Sequence, residues 1–146
     1  MKKEFLLTLI VGLIVILTQS MCTKECFRFQ DFDNQKQFRD GYVLSYNETH
    51  EQPNWVFYTL KSSDLVCNDK AKRKNNFKED RDIATGSAQL SDYAKSGYDR
   101  GHLKASADES CDQYQMDETF LMSNMSPQVP GFNRGIWKRL EAHVRD

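Results

Sequence analysis

The residues best suited to chemistry form one short segment, Asp99-Arg100-Gly101-His102. Histidine is the side chain best matched to proton transfer near neutral pH, which makes His102 a candidate general base. Arg100 carries planar, paired donors that suit an anion such as phosphate, although a surface arginine without a role is the competing interpretation. Asp99 can orient the imidazole or brace Arg100, and Gly101 lets the backbone and a ligand approach closely. A lone histidine is usually an ordinary loop or core residue, so the interpretation depends on what surrounds this segment.

A helix predicted near the end of the chain is the element that must face this segment. The helix begins near Asn133, and its apolar face consists of Ile136, Trp137, Leu140 and Val144. Asn133 is a common residue type for a helix N-cap. Glu141 lies about 80° round the same helix at 3.6 residues per turn, so the two side chains face broadly the same way. A solvated carboxylate is the competing interpretation of Glu141.

Three blocks occur in a fixed order: Tyr98 to Leu103, Thr119 to Gln128, and Phe132 to Glu141. In this order and spacing the sequence resembles the DNA/RNA non-specific endonucleases, the family of endonuclease G and its secreted bacterial relatives. The resemblance covers roughly residues 40 to 145 and includes Phe77-Lys78-Glu79-Asp80. A four-residue motif alone is a weak signal, whereas three ordered blocks rarely coincide by chance.

The resemblance implies a fold and a set of roles. The fold class is α+β, an antiparallel sheet with a ββα-metal active-site motif. Asn133 matches the metal-binding asparagine, and an amide oxygen suits Mg²⁺, which keeps several waters; Mn²⁺ is the alternative. Glu141 would hold metal-bound water, and Asn124 would hold loop geometry or a water in the active-site region. Arg73 matches a transition-state arginine only loosely, since Lys74 competes for that assignment.

The resemblance also implies hydrolysis of phosphodiesters. Their anionic oxygens repel nucleophiles, so the enzyme needs a base for water and positive charge for the transition state. His102 would deprotonate the attacking water, and a cation on Asn133 would supply charge near the leaving oxygen. Because the nucleophile is water and not a ribose 2′-hydroxyl, both DNA and RNA are expected partners, with 5′-phosphate and 3′-hydroxyl ends. Contacts to phosphates carry no sequence information, which explains non-specific cleavage.

Two β-rich runs precede the motif. They are Tyr42 to Tyr46 and Trp55 to Leu60, with Pro53 in the polar stretch between them, and they predict two strands of a hairpin with a long loop. The charged run from Asn68 to Asp82 is typical of a solvated loop. Asp117 to Leu121 predicts a short helix that ends before Pro127.

The N-terminal sequence predicts the cellular location of the protein. Lys2 and Lys3 precede an apolar run of 13 residues, Phe5 to Leu17, which is followed by small and polar residues. This order is typical of a secretory signal peptide, and about 20 apolar residues would be needed for a membrane anchor. We therefore expect a signal peptide over residues 1–20, an endonuclease domain over residues 21–146, and a secreted protein with no membrane contact after cleavage.

The cysteines and the net charge limit which kinds of cysteine site and phosphate-binding surface the sequence allows. In an oxidising compartment Cys22, Cys26, Cys67 and Cys111 would form disulfides, with three possible pairings, and a zinc site is disfavoured because a second close ligand pair is missing. The formal net charge is −1, so phosphate binding must come from local basic patches.

The end of the sequence at Asp146 is a departure from the family pattern. Family domains usually continue past this helix with strands that complete the sheet and cover the helix, so the fold reads as truncated after the metal-site helix. We expect an exposed apolar helix face and an open sheet edge, both of which favour partner binding or aggregation. The alternative function is a catalytically inactive nucleic-acid-binding or interaction module, and the oligomeric state is left open.

Overall fold

The computed structural model describes residues 35–146. The predicted signal peptide, Cys22 and Cys26 lie outside the described residues. Within residues 35–146, no helix is both long and apolar enough to cross a membrane.

The first sheet is an antiparallel meander of three strands, β1 (Gln35–Phe38), β2 (Val43–Asn47) and β3 (Gln52–Phe57), in the order β1-β2-β3. The predicted hairpin is present, but its loop is shorter than expected because β3 begins before Pro53. The register shifts between Ser45 and Tyr46, and Tyr46 pairs with Pro53. Proline is accepted in edge strands and at bulges, and β3 is an edge strand of this sheet.

The second sheet consists of two antiparallel strands, β4 (Asp99–His102) and β5 (Met125–Gln128). The Ser126 hydroxyl of β5 donates a hydrogen bond to the Gln52 side chain of β3 over 2.9 Å, which connects the two sheets. The candidate motif therefore lies in a strand and not in a free loop.

Short helices complete the α+β fold that the sequence predicts. The α-helices are α1 (Ser62–Leu65), α2 (Leu90–Tyr93), α3 (Gln113–Glu118), α4 (Pro130–Phe132) and α5 (Lys138–Arg145), with a π-helical turn over Asn133–Trp137 and 3-10 turns over Ser106–Glu109 and Met122–Asn124. The helix predicted at Asp117 to Leu121 was placed four residues late. The Asp112 carboxylate accepts a hydrogen bond from the Gln115 backbone over 3.0 Å, so it caps α3 and fixes its start.

Two small apolar clusters support these sheets. One contains Tyr42, Leu44, Tyr46 and Ile83, with Val56 and Tyr58 packed against it. The other contains Ala88, Met122 and Met125, with Phe77 and Tyr93 packed against it. The second cluster includes the first residue of β5, so it supports the sheet that carries the motif.

Three ion pairs with a buried carboxylate or lysine join segments that are distant along the chain. Asp80 pairs with Arg39 at 2.5 Å, Lys104 with Glu109 at 2.5 Å, and Asp108 with Arg145 at 2.7 Å. The segment from Asn68 to Asp82, predicted as a solvated loop, is mostly exposed, but Asp80 within it is buried. A buried carboxylate requires partners, and Arg39 and Ser123 provide them.

Cys67 and Cys111 form a disulfide, which settles one of the pairings that the sequence left open. The bond closes a 44-residue separation and joins the segment before Arg73 to the start of α3. The neighbouring backbones are also paired, since Ala71 donates to the Ser110 carbonyl over 2.9 Å.

The expected exposure of the apolar helix face is confirmed for Ile136, Leu140 and Val144. These side chains are 53%, 48% and 56% exposed. Trp137 alone of the predicted face is turned toward the body of the domain.

Candidate active site

Strands β4 and β5 place the motif against a close neighbour. His102 pairs with Met125 and Arg100 with Pro127. A Cβ atom added to Gly101 would lie 2.1 Å from Cδ of Gln128, so only glycine fits here. The close approach that the sequence analysis assigned to a ligand is therefore made by a side chain of β5.

His102 is buried in an aromatic setting. Its ring is 4.9 Å from the Phe120 ring, edge to face, and 5.6 Å from the Phe77 ring. Burial, followed by the charges of Arg73 and Arg100, lowers the pKa of His102 to about 3. The imidazole is therefore neutral at physiological pH, the form that can accept a proton. Its Nε2 atom is buried and has no hydrogen-bond partner among residues 35–146.

Two arginines lie on either side of the aromatic group. The Arg100 guanidinium is 4.3 Å from the Phe77 ring centre, and the Arg73 guanidinium is 5.0 Å from the Phe120 ring centre. Arg73 donates to Asn75 over 2.8 Å and also to Ser106, whereas Arg100 forms no side-chain hydrogen bond or ion pair within the described part of the chain. The donors of Arg100 are therefore available to an anion.

Both arginines line an open cavity of about 370 Å³, here called the site cavity. Its walls also include Phe77, Tyr93, Tyr98, Asp99 and Asn133. His102 is not itself a wall of the cavity, but its ring lies 5.6 Å from that of the wall residue Phe77. Arg100 and Asn133 are thus brought together as the sequence predicts, with His102 adjacent to them through Phe77.

Asp99 has a role that the sequence analysis did not foresee. Its carboxylate accepts hydrogen bonds from Arg134 over 2.6 and 2.7 Å and from the Asn133 amide nitrogen over 3.0 Å. These bonds, with that of Arg134 the strongest, lower the pKa of Asp99. Asp99 therefore holds the start of the final helical segment, instead of orienting His102 or bracing Arg100 as proposed from sequence.

The Asp99 bond also fixes which way the Asn133 amide faces. A carboxylate only accepts hydrogen bonds, so the nitrogen must point at Asp99 and the oxygen away from it. The Asn133 oxygen forms no hydrogen bond within residues 35–146. It is thus oriented as a potential cation ligand, and the N-cap interpretation is not needed because Asn133 lies inside a continuous helical segment from Pro130 to Arg145.

The donor set fits a hard, hydrated cation. No group of three or more His, Cys, Asp or Glu side chains that could hold a metal occurs in residues 35–146. A zinc site normally requires such a group. One amide oxygen beside an anion-binding pocket instead suits a divalent cation that keeps most of its waters.

A π-helical turn links Asn133 to α5. The Trp137 indole at the end of this turn donates to the His102 carbonyl over 3.0 Å, so the helix is fastened directly to the motif strand. Phe132 packs on Trp137 with ring centres 5.6 Å apart. π-Helical turns are frequently found at functional sites, because they redirect side chains within a helix.

The family model for DNA/RNA non-specific endonucleases matches residues 25–146. The chain belongs to the DNA/RNA non-specific endonuclease family. It is 50% identical over 111 residues to a nuclease of Syncephalastrum racemosum, covering 74% of this chain and 35% of that protein. It is 40% identical over 108 residues to the mitochondrial endonuclease G of Homo sapiens, covering 73% of this chain and 36% of that protein.

A solved structure shows the same fold. The crystal structure of the EndoG/EndoGI complex matches with a TM-score of 0.73 and 43% sequence identity, over 79% of this chain and 48% of that chain. The chain thus spans between about a third and a half of the length of these relatives. Membership of the endonuclease family implies a divalent metal, which the donor set around Asn133 accommodates.

Asn124, expected in the active-site region of the endonuclease fold, is entirely buried. Its amide nitrogen donates to the carbonyls of Lys104 over 3.0 Å and Thr119 over 2.8 Å, and its oxygen accepts from the Lys104 backbone over 2.9 Å. All of these are internal bonds. Asn124 therefore shapes the loop after His102, one of the two roles that the resemblance implies for it.

Glu141 does not lie on a wall of the site cavity. The π-helical turn changes the angular spacing, so the angle estimated for a regular α-helix between Asn133 and Glu141 does not apply. Burial raises the pKa of Glu141, while the charges of Arg145 and Arg73 lower it and that of Asp108 raises it. Its charge interaction with Arg73, a wall residue of the site cavity, places Glu141 near that wall.

Sequence reasoning missed or underrated several residues of this site. Arg73 was matched only loosely, yet it lines the cavity and lies next to His102. Phe77 and Phe120 pack against the His102 ring. Their aromatic side chains were the only sign in the sequence that they contribute to the site. Trp137 was assigned only to the apolar face of the helix. A buried indole N–H needs a hydrogen-bond acceptor, and this requirement was the signal for its bond to the motif strand.

Proposed function

We propose that this chain carries the catalytic motif of a divalent-metal-dependent nuclease that hydrolyses phosphodiester bonds of DNA and RNA. His102 is the general base, Arg100 and Arg73 bind the scissile phosphate, and Asn133 is the protein ligand of the metal. The observation that carries the proposal is the unpaired, buried Nε2 of His102 beside the free guanidinium of Arg100. Burial of an unsatisfied polar atom is costly, so such an atom is a candidate for a functional contact.

The reaction begins with a water that hydrogen-bonds to His102 Nε2. The imidazole takes a proton from this water while its oxygen attacks phosphorus in line with the leaving oxygen. Nε2 is buried, so this water must enter the space between His102 and its aromatic neighbours. Its entry should raise the pKa of His102, because burial is the largest cause of the lowering. The bond from phosphorus to the 3′ oxygen breaks, the leaving oxygen takes a proton from solvent water to become a 3′-hydroxyl, and the phosphate stays on the 5′ end.

Positive charge around the phosphate comes from side chains that are already in place. Arg100 and Arg73 face the cavity from neighbouring aromatic rings, and their planar forks match phosphate oxygens. A divalent cation, Mg²⁺ in our proposal, adds charge near the scissile phosphate when bound at the Asn133 oxygen. Asp99 and Arg134 keep that oxygen oriented.

The proposal is tested by digestion of plasmid DNA and of single-stranded RNA with the purified mature chain. Cleavage of both substrates in Mg²⁺, abolished by EDTA, is expected. Asn133→Ala is expected to require a much higher Mg²⁺ concentration, whereas Asn68→Ala, on an exposed loop, serves as the matched control. Cleavage that persists in EDTA would overturn the metal role, and the absence of cleavage by a folded chain would favour the inactive-module function.

We also propose that the protein is secreted. The apolar run Phe5 to Leu17 and the disulfide between Cys67 and Cys111 support this location, since disulfides persist in oxidising compartments. Expression of the full chain in a secreting host, followed by N-terminal sequencing, tests it. A mature N-terminus near Met21 in the medium is expected, and an uncleaved, cell-bound chain would contradict it.

The second candidate function is an interaction module without catalysis. The exposed stripe of Ile136, Leu140 and Val144 favours it, because a contiguous exposed apolar surface is typical of binding sites. The two functions are separated by the digestion assay, since binding alone does not require a metal.

A further inference from the structure

A second hollow, of about 230 Å³, lies next to the site cavity. Its walls comprise His50, Glu51, Ala88, Asp92, Tyr93, Ser96, Tyr98 and Pro127. Tyr93 and Tyr98 also line the site cavity, so the two spaces share a wall. We call this space the tyrosine hollow. We propose that it is a stacking subsite for one unpaired nucleobase of the nucleotide next to the scissile phosphate, with Tyr98 as the stacking residue.

Tyr98 has the features of a stacking platform. Its side chain is 50% exposed, and its ring contacts no other aromatic ring within residues 35–146. The turn before it contains Lys95 and Gly97, both with positive φ, and the Tyr98 backbone donates to the Ser96 hydroxyl over 3.1 Å. The ring is thus presented from a defined turn and not from a free loop.

Two other wall residues, Tyr93 and Pro127, are held by packing and by strand pairing. Tyr93 packs against the cluster of Ala88, Met122 and Met125, and burial raises the pKa of its hydroxyl to about 12. Pro127 lies directly opposite Arg100 in the β4-β5 ladder. Residues directly opposite each other in an antiparallel pair lie on the same face of the sheet, so the phosphate-binding arginine and the hollow face the same way.

The site cavity and the tyrosine hollow differ in the charge of their walls, so they suit different parts of a nucleotide. The site cavity contains Arg73 and Arg100, and its one carboxylate, Asp99, is paired with Arg134. The tyrosine hollow contains the carboxylates of Glu51 and Asp92 beside His50. Carboxylates repel phosphate but accept hydrogen bonds from the amino groups of bases. A nucleotide with its phosphate on the arginines would therefore direct its base, and not its backbone, into the hollow.

The inference rests on the proposed nuclease function and makes it more specific, because a base can enter the hollow only when it is unpaired. Stacking of a base on an aromatic side chain is sequence-tolerant, since every base has a π face. The subsite thus favours single-stranded stretches without imposing a sequence.

The test uses the mature chain and a short single-stranded oligonucleotide carrying one 2-aminopurine, titrated in EDTA so that no cleavage is needed. Quenching of the 2-aminopurine fluorescence is expected on binding. Tyr98→Ala should weaken binding roughly five- to 150-fold, the range found when one stacking residue is removed. Tyr98→Phe, which keeps the ring, should bind like the wild type.

Tyr114→Ala is the matched control, because Tyr114 is 63% exposed and lines a different hollow. Equal binding by the wild type and Tyr98→Ala, or an equal loss in Tyr114→Ala, would overturn the inference. A parallel cleavage assay in Mg²⁺ should show a larger loss for Tyr98→Ala on single-stranded than on duplex DNA. If the wild type binds with quenching but does not cleave, the nuclease proposal fails while the subsite stands. If the wild type cleaves and Tyr98→Ala is unaffected on both substrates, only the subsite fails.

Discussion

His102 shows how the surroundings of one residue determine its chemistry. An imidazole between Phe77 and Phe120 and near two guanidinium groups loses water on most sides and is repelled by positive charge. Both effects disfavour the protonated form. The sequence identified the histidine, but its burial could not be predicted, since Phe77 and Phe120 are distant from it along the chain.

The protonation state of His102 can be measured directly. Because its pKa is lowered to about 3, its imidazole should remain neutral at pH 5 in NMR spectra of histidine-labelled protein. The exposed His50 and His143 provide solvent-accessible reference imidazoles in the same spectrum. Phe77→Ala, which opens the site, should raise the pKa of His102. Titration of wild-type His102 near pH 6.5 would contradict the burial described here.

The same shift links His102 to stability. The unfolded chain binds a proton at this histidine below about pH 6.5, whereas the folded chain does not until about pH 3. The free energy of unfolding should therefore fall as the pH drops from 6.5 toward 3, by roughly 1.4 kcal/mol per pH unit from this group alone. Urea denaturation of the wild type and His102→Asn across this range isolates the effect, and parallel curves would contradict it.

Gly101 tests the packing between β4 and β5. Gly101→Ala puts a methyl group into the space of Gln128 and should cost about 1 to 3 kcal/mol of unfolding free energy. Adding Gln128→Ala should restore most of the loss. Gly131→Ala, where a Cβ atom would meet no atom within 4 Å, is the control. A destabilised Gly131 variant, or no effect of Gly101→Ala, would contradict this assignment.

Among the secondary-structure elements, those that depend on one local sequence pattern were predicted best. The β2-β3 hairpin and the helix after Asn133 follow from periodicity. Two features required information from elsewhere in the fold. The π-helical turn over Asn133–Trp137 depends on Asp99 holding its start and the His102 carbonyl holding its end. The side chain of Arg73 reaches the cavity because the disulfide and the backbone bond at Ala71 fix its segment against α3.

The disulfide gives a prediction at this scale. Closing a loop of 44 residues stabilises a fold by up to about 4 kcal/mol in the chain-entropy model. The double variant Cys67→Ser/Cys111→Ser should show a lower thermal midpoint, and nuclease activity should fall further than global unfolding explains because the Arg73 segment loosens. Reducing agent should lower the midpoint of the wild type but not of the double variant. An equal response of both proteins would point to another cysteine pair.

The whole molecule combines a complete motif with an uncovered helix. The motif strand, both arginines and Asn133 are assembled within residues 73–133, while the apolar side chains of α5 and the turn before it face outward. The sequence analysis expected this exposure from the family pattern, and the structure agrees. The same sequence could not indicate that Trp137 alone would turn inward, because the four residues have the same apolar spacing.

Exposed apolar side chains predict concentration-dependent self-association. Ile136→Lys/Leu140→Lys should shift the mature chain toward the monomer and reduce binding of an apolar dye, since it interrupts the stripe. Val66→Lys, at a side chain that is 79% exposed elsewhere on the surface, is the control. Analytical ultracentrifugation over a concentration series measures the effect. A wild type that stays monomeric and binds no dye would contradict the prediction.

The central claim is that His102 removes a proton from the attacking water, and single-turnover hydrolysis of a single-stranded oligonucleotide in Mg²⁺ tests it most directly. His102→Asn preserves the size of the side chain but accepts no proton, so the rate should fall by about 10² to 10⁴ while substrate affinity is retained. His143→Asn, at an exposed position on α5, should cleave at the wild-type rate. Cleavage by His102→Asn at the rate of His143→Asn would contradict the account.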